Sequence, residues 1–157
     1  MRVLVLCVET EEEMKAWNIA VVIAALLVGT GTAGAQEIFD AVKSGDLAKA
    51  KTIVEKDASQ IRTTDKVGNT PLHHAAIAGA GPMVEWLLSK GADVEAANTE
   101  AMTPLVEAIR NGKDEAAKVL IEKGAKTDGA LQRAAMRNRT AVMELLIAKG
   151  ADIEAKD

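Results

Sequence analysis

The chain of 157 residues lacks most features that mark a disulfide-bonded or nucleic-acid-binding protein. It has a single cysteine, Cys7, and therefore cannot form an intramolecular disulfide. Its 19 lysine and arginine residues are outnumbered by 23 aspartate and glutamate residues, which gives a formal net charge of -4. Nucleic-acid-binding domains usually carry a basic patch, and nothing in this charge balance indicates one.

Motifs that carry chemistry are also missing. The sequence has no His-Glu-x-x-His motif, no Cys-x-x-Cys pair, no Walker loop and no Gly-x-Ser-x-Gly motif. Its two histidines, His73 and His74, are adjacent, and adjacent helical residues point about 100° apart, so the two rings cannot easily share a metal ion. We therefore expect no catalytic, cofactor-binding or metal-binding residue, and we expect that the protein is not an enzyme.

The sequence also lacks an apolar run long enough to span a membrane, which needs about 20 residues. Its longest run covers residues 19–28, after a Met-Lys pair at residues 14–15 and before Ala-Gly-Ala at residues 33–35. A basic start, an apolar core and a small-residue cleavage site in this order are typical of a secretory signal peptide. We expect residues 1–35 to be a leader and signal peptide cleaved after Ala35, which would make the protein periplasmic or secreted; an uncleaved anchor is the alternative.

The residues before Met14 do not fit such a signal. Glu9 and the three glutamates at residues 11–13 put negative charge where a signal peptide begins with positive charge. We therefore expect translation to begin at Met14, and a genuine long leader is the alternative. Because Cys7 lies in this segment, the exported chain would fold without cysteine.

Residues 70–98 are the stretch from which the rest of the chain can be interpreted. Thr70 is a typical N-cap and Pro71 a typical first helical residue, whereas Gly79 is suited to the left-handed conformation that ends a helix. A second helix is expected from Pro82 to the exit residue Gly91. Each helix has only about two turns and would be marginal in water, so neighbouring pairs must pack against one another.

The same pattern occurs four times in one register. The first-helix marker is held by Ile38, Leu72, Leu105 and Leu131. The paired aliphatic residues of the second helix are Ile53-Val54, Leu87-Leu88, Leu120-Ile121 and Leu146-Ile147. The position that ends the first helix is held by Gly45, Gly79, Gly112 and Asn138. Each of the three features steps by 34, 33 and 26 residues, and three independent features in one register indicate a repeat array.

The second unit resembles the ankyrin repeat, whose signatures appear as TPLHHAA at residues 70–76, VEWLL at 84–88 and GADV at 91–94. The resemblance extends from Glu37 to the last residue, and it suggests a bacterial exported type with an N-terminal signal peptide. It implies an all-α solenoid of about four helix pairs with short β-hairpin fingers and a concave binding face. The expected domain covers residues 36–157, with repeats at about 37–64, 65–97, 98–129 and 130–157, the first serving as a cap.

Two fingers are expected, over residues 61–69 and 94–102. The turn of the first finger contains Gly68, a residue that readily adopts a positive φ. Ala101 holds the corresponding place in the second finger, so that turn must either relax or accept strain. We expect the second finger to be the looser one.

The third finger is expected to be shortened. Seven fewer residues separate Gly124 from Leu131 than separate Gly91 from Leu105, and seven residues is about the size of a hairpin. We therefore expect residues 127–129 to lead almost directly into the fourth helix pair.

The family resemblance also assigns roles to side chains. His73 matches the histidine that ties loop backbone by hydrogen bonds, which is a structural role. Ligands of the family contact the finger tips and the exposed side of each first helix. The corresponding residues of the finger tips are Lys66, Val67, Asn69, Thr99, Glu100 and Met102. Those of the first helices are Asp40, Lys43, His74, Ile77, Ala78, Glu107, Arg110, Asn111, Arg133, Met136 and Arg137.

The pattern leaves two alternatives open. Met83 and Trp86 are expected in the core between repeats, but Trp86 could instead be an exposed aromatic anchor. In the repeat register Asp157 is the first residue of a further unit, so either the sequence is a fragment or the exposed last helix pair binds another chain.

Together these features predict a non-enzymatic protein–protein interaction module in an exported compartment. We expect a protein partner, whose identity the sequence does not give. No nucleic acid, cofactor, small-molecule substrate or stable membrane span after signal cleavage is expected. The alternatives are a secreted effector that acts on a host or competitor cell, and a structural subunit of a larger repeat assembly.

Overall fold

The computed structural model describes residues 35–127 and 129–151. The expected leader, signal peptide and translation start lie outside these residues, except for Ala35, where the repeat unit begins. The end of the fourth repeat, residues 152–157, and Asp128 also lie outside them. The elements in chain order are α1 (residues 35–43), α2 (Leu47–Lys56), a 3₁₀ helix η1 (Ala58–Arg62), α3 (Pro71–Ala78), α4 (Gly81–Ser89), α5 (Pro104–Arg110), α6 (Asp114–Glu122), α7 (Ala130–Met136) and α8 (Thr140–Ala148).

Side-chain caps begin the first helices of the two central repeats. The Thr70 hydroxyl accepts a hydrogen bond from the His73 backbone N–H at 3.4 Å, and the His73 ring accepts one from the Thr70 backbone N–H at 3.2 Å. The Thr103 hydroxyl likewise accepts a hydrogen bond from the Val106 backbone N–H at 3.4 Å, but Val106 has no polar side chain to return one. The predicted start of α3 is confirmed, whereas α4 begins at Gly81, one residue before the expected Pro82.

Left-handed residues end the first helix of every repeat, as the register predicted. The φ angles at these positions are 73° at Gly45, 80° at Gly79, 67° at Gly112 and 55° at Asn138. Asn138 is the one position without glycine, and asparagine tolerates this conformation better than most residues. The helix-stop register is therefore confirmed in all four repeats.

The helices form two rows. Within repeats, α3 packs on α4, α5 on α6, and α7 on α8. Between repeats, the first helices α3, α5 and α7 pack in sequence, and so do the second helices α4, α6 and α8. The predicted all-α solenoid of stacked helix pairs is confirmed for the described residues.

One apolar core runs through the four repeats. Leu87, Leu120 and Leu146, the markers of the second helices, are fully buried and belong to a single cluster with the first-helix markers. In the first repeat the order within the aliphatic pair is reversed, because Val54 is buried and Ile53 only partly so. The equivalence of these positions in the sequence thus corresponds to one continuous interior.

Met83 lies in this core, as expected, whereas Trp86 combines both predicted environments. Trp86 packs against the core but is only partly buried. It also lines an open cavity of about 540 Å³ between α2, η1 and α4. Its ring therefore closes one side of the interior and remains accessible on the other.

The first finger is a tight turn that follows a 3₁₀ helix. The Asp65 carboxylate accepts hydrogen bonds from the backbone N–H groups of Val67 and Asn69 at 3.0 and 2.9 Å. Ile61, expected at the start of the finger, instead lies in η1 and is buried in the core. The expected β-hairpins are also not seen, since residues 35–127 and 129–151 contain no β-strand.

The second finger repeats the turn of the first. The Asn98 side-chain oxygen accepts from the N–H groups of Glu100 and Met102 at 2.9 and 3.0 Å. Ala101 has a φ of 55°, so it adopts the left-handed conformation that Gly68 adopts in the first finger, where φ is 77°. The turn has accepted the strain rather than relaxed.

The third finger is missing from the described residues, as its expected shortening implies. Only residues 123–129 connect α6 to α7, whereas residues 90–103 connect α4 to α5. The backbone N–H of Ala130 donates to the Thr127 carbonyl at 3.0 Å, so the link turns directly into α7.

Replacing Ala101 by glycine should raise the free energy of unfolding by about 0.5–1 kcal/mol. A left-handed L-residue costs about 1–2 kcal/mol, which exceeds the roughly 0.4–1 kcal/mol that glycine adds to the entropy of the unfolded chain. Urea unfolding of the full chain measures the difference. As a control, Ala48→Gly on the exposed side of α2 should instead lose up to about 1 kcal/mol. A loss of stability in Ala101→Gly would contradict the assigned strain.

Candidate interaction surface

His73 is fully buried on α3, and both of its ring nitrogens have partners. Nδ1 accepts from the Thr70 backbone N–H and lies 2.9 Å from the Thr70 hydroxyl. Nε2 lies 2.9 Å from the Met102 carbonyl oxygen, to which it donates. The neutral ring with its proton on Nε2 satisfies both contacts, and His73 thereby ties α3 to the second finger. This is the structural role that the family resemblance implied.

His74 does not lie at the surface. It is 8% exposed, its Nε2 lies 2.9 Å from the Asp65 carboxylate, and its ring meets the edge of Phe39 at a centroid distance of 5.1 Å. The expectation that His74 projects freely towards the groove is therefore corrected, because its ring is buried and bonded to Asp65. It holds the first finger against α3 and α1.

The expected exposure of Asn69 and Glu107 is also corrected, because both residues are buried at the base of the fingers. The Asn98 amide donates to the Asn69 side-chain oxygen at 2.9 Å and lies 3.5 Å from a Glu107 carboxylate oxygen. Asp65, Asn69, His74, Asn98 and Glu107 form what we call the finger-base network. Since a buried polar group without a partner costs about 1–3 kcal/mol, these bonds fix the positions of both fingers.

Asn111 is exposed as a residue, but its side chain serves the same network. Its amide donates to the Glu107 carbonyl at 2.8 Å and to the Glu107 carboxylate at 3.1 Å. The side chain is therefore already engaged within the protein.

The network keeps both histidines neutral and Asp65 charged at neutral pH. Burial lowers the pKa of His73, against the opposing effect of the hydrogen bond to the Met102 carbonyl. Burial likewise lowers the pKa of His74, against the opposing effect of the Asp65 carboxylate. For Asp65, burial acts to raise the pKa, but hydrogen bonds from backbone N–H groups, led by that of Asn69, and from the His74 ring together hold it below its usual value.

The remaining expected residues form what we call the finger-side surface. Val67 is 51% exposed and Met136 84% exposed, whereas Ile77 and Met102 are only partly exposed. The other members are exposed and mostly charged, namely Asp40, Lys43, Lys66, Ala78, Thr99, Glu100, Arg110, Arg133 and Arg137. Apolar side chains thus stand among charged ones on the side of the first helices and finger tips.

A cleft lies at one end of this surface, between α5 and α7. We call it the α5–α7 cleft; it has a volume of about 270 Å³ and is lined by Met102, Val106, Ile109, Arg110, Arg133, Met136 and Arg137. Sequence reasoning named five of these residues and missed Val106 and Ile109. They occupy the register positions of His73 and Ala76, which are buried in the preceding repeat. The expected shortening of the third finger is the signal that could have identified Val106, because it leaves this position without a finger beside it.

The cleft carries more positive than negative charge. Arg110 lies 3.3 Å from the Glu100 carboxylate and 3.6 Å from that of Glu107, and Arg137 donates to the Arg110 carbonyl at 3.1 Å. Among the described residues, no carboxylate lies within the 4.0 Å ion-pair distance of Arg133 or Arg137. Two guanidinium groups therefore remain without an acidic partner in this part of the chain.

Within residues 35–127 and 129–151 there is no group of three or more His, Cys, Asp or Glu side chains that could hold a metal ion. None of the helices described there is both long enough and apolar enough to cross a bilayer.

Comparisons with known proteins agree with the repeat architecture. The family model for ankyrin repeats (three copies) matches residues 38–129 and, in a second match, residues 84–157. The Transient receptor potential cation channel subfamily A member 1 homolog of Caenorhabditis elegans is 32% identical over 119 residues, which are 72% of this chain and 10% of that protein.

Two further relatives show the same partial coverage. The Ankyrin repeat and SAM domain-containing protein 6 of Rattus norvegicus is 33% identical over 90 residues, or 57% of this chain and 10% of that protein. The Ankyrin repeat and KH domain-containing protein 1 of Homo sapiens is 36% identical over 98 residues, or 57% of this chain and 4% of that protein. The chain thus spans a tenth or less of the length of these three relatives.

Acidification should destabilise the protein below the ordinary histidine pKa of about 6.5. Because His73 and His74 have lowered pKa values in the folded state, the unfolded state binds more protons as the pH falls through this value. Each histidine then removes up to about 1.4 kcal/mol per pH unit until its folded pKa is reached. Asp65, whose pKa is lowered from 3.8, stops stabilising the folded state only at more acidic pH.

Urea unfolding at a series of pH values between about 7.5 and 5 measures this slope. The variant His74→Gln keeps a donor for Asp65 but removes one titrating group, so its slope should be about half that of the wild type. An unchanged slope in the variant, or a flat profile in the wild type, would show that the histidines do not set the dependence on pH.

Proposed function

Because the chain belongs to the ankyrin-repeat family, we propose that it is a non-enzymatic interaction module that binds a protein partner through its finger-side surface. Ankyrin repeats are protein–protein interaction modules and are generally non-catalytic. In this chain the finger-side surface is the part that binds, and the partner meets side chains that are already held in position.

Exposed apolar side chains are the observation that carries this proposal. Val67 and Met136 are two of the three large apolar residues that the described part of the chain exposes, and both belong to the finger-side surface. Apolar side chains surrounded by charged ones are typical of protein-binding patches. The third, Ile147, is 46% exposed and lies on α8, which is a second helix.

Rigidity beneath the surface supports the same proposal. The finger-base network fixes both fingers relative to α3 and α5, and the Thr99 backbone N–H links the second finger to the Val67 carbonyl at 3.1 Å. A preorganised surface loses less conformational entropy when a partner binds. The protein would therefore act by presenting side chains in fixed positions.

Replacing Val67 and Met136 by aspartate should weaken partner binding and leave the fold intact. Both side chains are exposed, so thermal melting should stay close to that of the wild type, whereas a charge placed in an apolar contact should weaken affinity at least about tenfold. The full wild-type chain would be used to capture its partner by cross-linking. The purified partner would then be titrated against each variant.

The matched control is Ile147→Asp, which places the same charge on an exposed aliphatic position of α8. This variant should bind normally. Normal binding by the Val67 and Met136 variant, together with loss in the Ile147 variant, would move the interaction surface to the second helices and contradict the proposal.

We further propose that the protein works in an exported compartment, most simply the periplasm. The support is the order of Met-Lys, the apolar run and Ala-Gly-Ala in residues 14–35. N-terminal analysis of the protein from fractionated cells should find Gln36 as the first residue in the periplasmic fraction. Recovery mainly from culture medium would favour the secreted effector. A cytosolic protein that retains residues 1–13 would contradict both export and initiation at Met14.

A further inference from the structure

The α5–α7 cleft lies where a regular array would place its third finger. In the preceding repeat, the His73 ring donates to the Met102 carbonyl and so holds the second finger. Val106 occupies the position of His73 one repeat later, and the short link of residues 123–129 offers it no finger to hold. Val106 is instead partly exposed and lines the cleft. The cleft is therefore open because this repeat lacks both the third finger and the histidine that would hold it.

The second finger also has a backbone carbonyl that accepts no hydrogen bond from the backbone of the described residues. The Thr99 N–H and hydroxyl both donate to the Val67 carbonyl, at 3.1 and 2.9 Å, and so join the second finger to the first. Glu100 is the register counterpart of Val67 in the second finger. Among the described residues no backbone N–H donates to the Glu100 carbonyl. Like the edge of a sheet, the second finger can accept a further chain segment.

The walls of the cleft define what such a segment must carry. Ile109 is buried beneath it, Met102 and Val106 are partly exposed, and Met136 stands 84% exposed at its rim. Unbranched methionine side chains adapt to varied apolar partners. Arg133 and Arg137, which lack acidic partners among the described residues, supply positive charge in a chain whose formal net charge is -4. The excess of positive charge is therefore local and not a reflection of overall composition.

We propose that an extended, acidic segment of the partner protein occupies the α5–α7 cleft in place of the missing third finger. A carboxylate of the segment binds Arg133 and Arg137, an aliphatic or aromatic side chain packs on Met102 and Met136, and a backbone N–H donates to the Glu100 carbonyl. Charge-assisted hydrogen bonds between arginine and carboxylate are among the strongest that such a surface offers. The inference rests on the proposed function and specifies the chemistry of its partner.

A nucleic acid would satisfy the arginines with phosphate but fits the rest of the cleft poorly. None of its lining residues is aromatic, whereas single-stranded nucleic acids are usually bound by stacking bases on aromatic side chains. The apolar floor of the cleft would then contact no suitable group. A protein segment that combines carboxylates with an apolar side chain uses both features.

Selection of a random displayed peptide library on the full chain tests the proposal. The selected peptides should be enriched in aspartate and glutamate next to leucine, methionine or phenylalanine, and their binding should weaken with added salt. One selected peptide, fluorescently labelled, would then be titrated against variants. The double variant Arg133→Gln, Arg137→Gln should lose at least about tenfold in affinity, and its remaining binding should depend less on salt. Met136→Ser should also lose affinity, but its binding should keep the salt dependence of the wild type.

The matched control is Lys51→Gln, Lys56→Gln, which removes the same charge from the exposed side of α2 and should bind normally. Selected peptides without acidic enrichment, or peptides that need Val67 but tolerate loss of both arginines, would overturn the acidic-segment inference and leave the proposed function standing. If no peptide bound and a labelled single-stranded DNA bound instead in an arginine-dependent way, the acidic-segment inference and the proposed function would both be overturned.

Discussion

Burial of aliphatic side chains between successive helix pairs is the interaction on which this structure depends. Helices such as α5, with 7 residues, are far below the length at which a helix is stable alone in water. Leu87, Leu120 and Leu146 are fully buried within one cluster, and complete burial of a leucine side chain stabilises by about 1.5–3 kcal/mol. Each pair therefore obtains from its neighbours the contacts that it cannot supply itself. The regular spacing of the surface side chains follows from this stacking.

Polar side chains perform the corresponding task at the fingers, where there is little apolar surface to bury. His73 ties α3 to the second finger, and the Asp65–His74 and Asn69–Asn98 bonds hold the finger bases. Where the third finger is missing, Val106 on α5 occupies the position that His73 has on α3, and the surface opens into the α5–α7 cleft. A loss of local structure has thus produced the most distinctive feature of the surface.

The sequence was sufficient to predict the parts of the fold that follow from spacing. Helix ends at Gly79, Gly112 and Asn138 need a left-handed residue, and buried aliphatic positions recur with the repeat, so both could be located without coordinates. The shortened third finger followed from counting residues between Gly124 and Leu131. The 3₁₀ helix around Ile61 could not be predicted in this way, because it belongs to one repeat only and has no periodic signal.

Prediction of the surface residues failed where burial depends on a polar partner. Register places His74 and Glu107 on the outer side of their helices, where polar residues are expected to be available for binding. Asp65 and Asn98, each located nine residues earlier in the chain, reach across to them. Such pairs are settled by side-chain geometry at the finger base, which periodicity does not contain. Highly exposed positions such as Met136 were predicted more easily, since their exposure does not depend on a polar partner.

Native-state hydrogen exchange on the variant Leu120→Ala tests most directly whether the helix pairs stabilise one another. Truncating this fully buried side chain creates a cavity in α6, between α4 and α8. Mutual stabilisation of the pairs predicts that backbone amides of α4 and α8 lose protection together with those of α6. Wild-type protection in α4 and α8, with the loss confined to α6, would show that each helix pair is stable by itself and would contradict it.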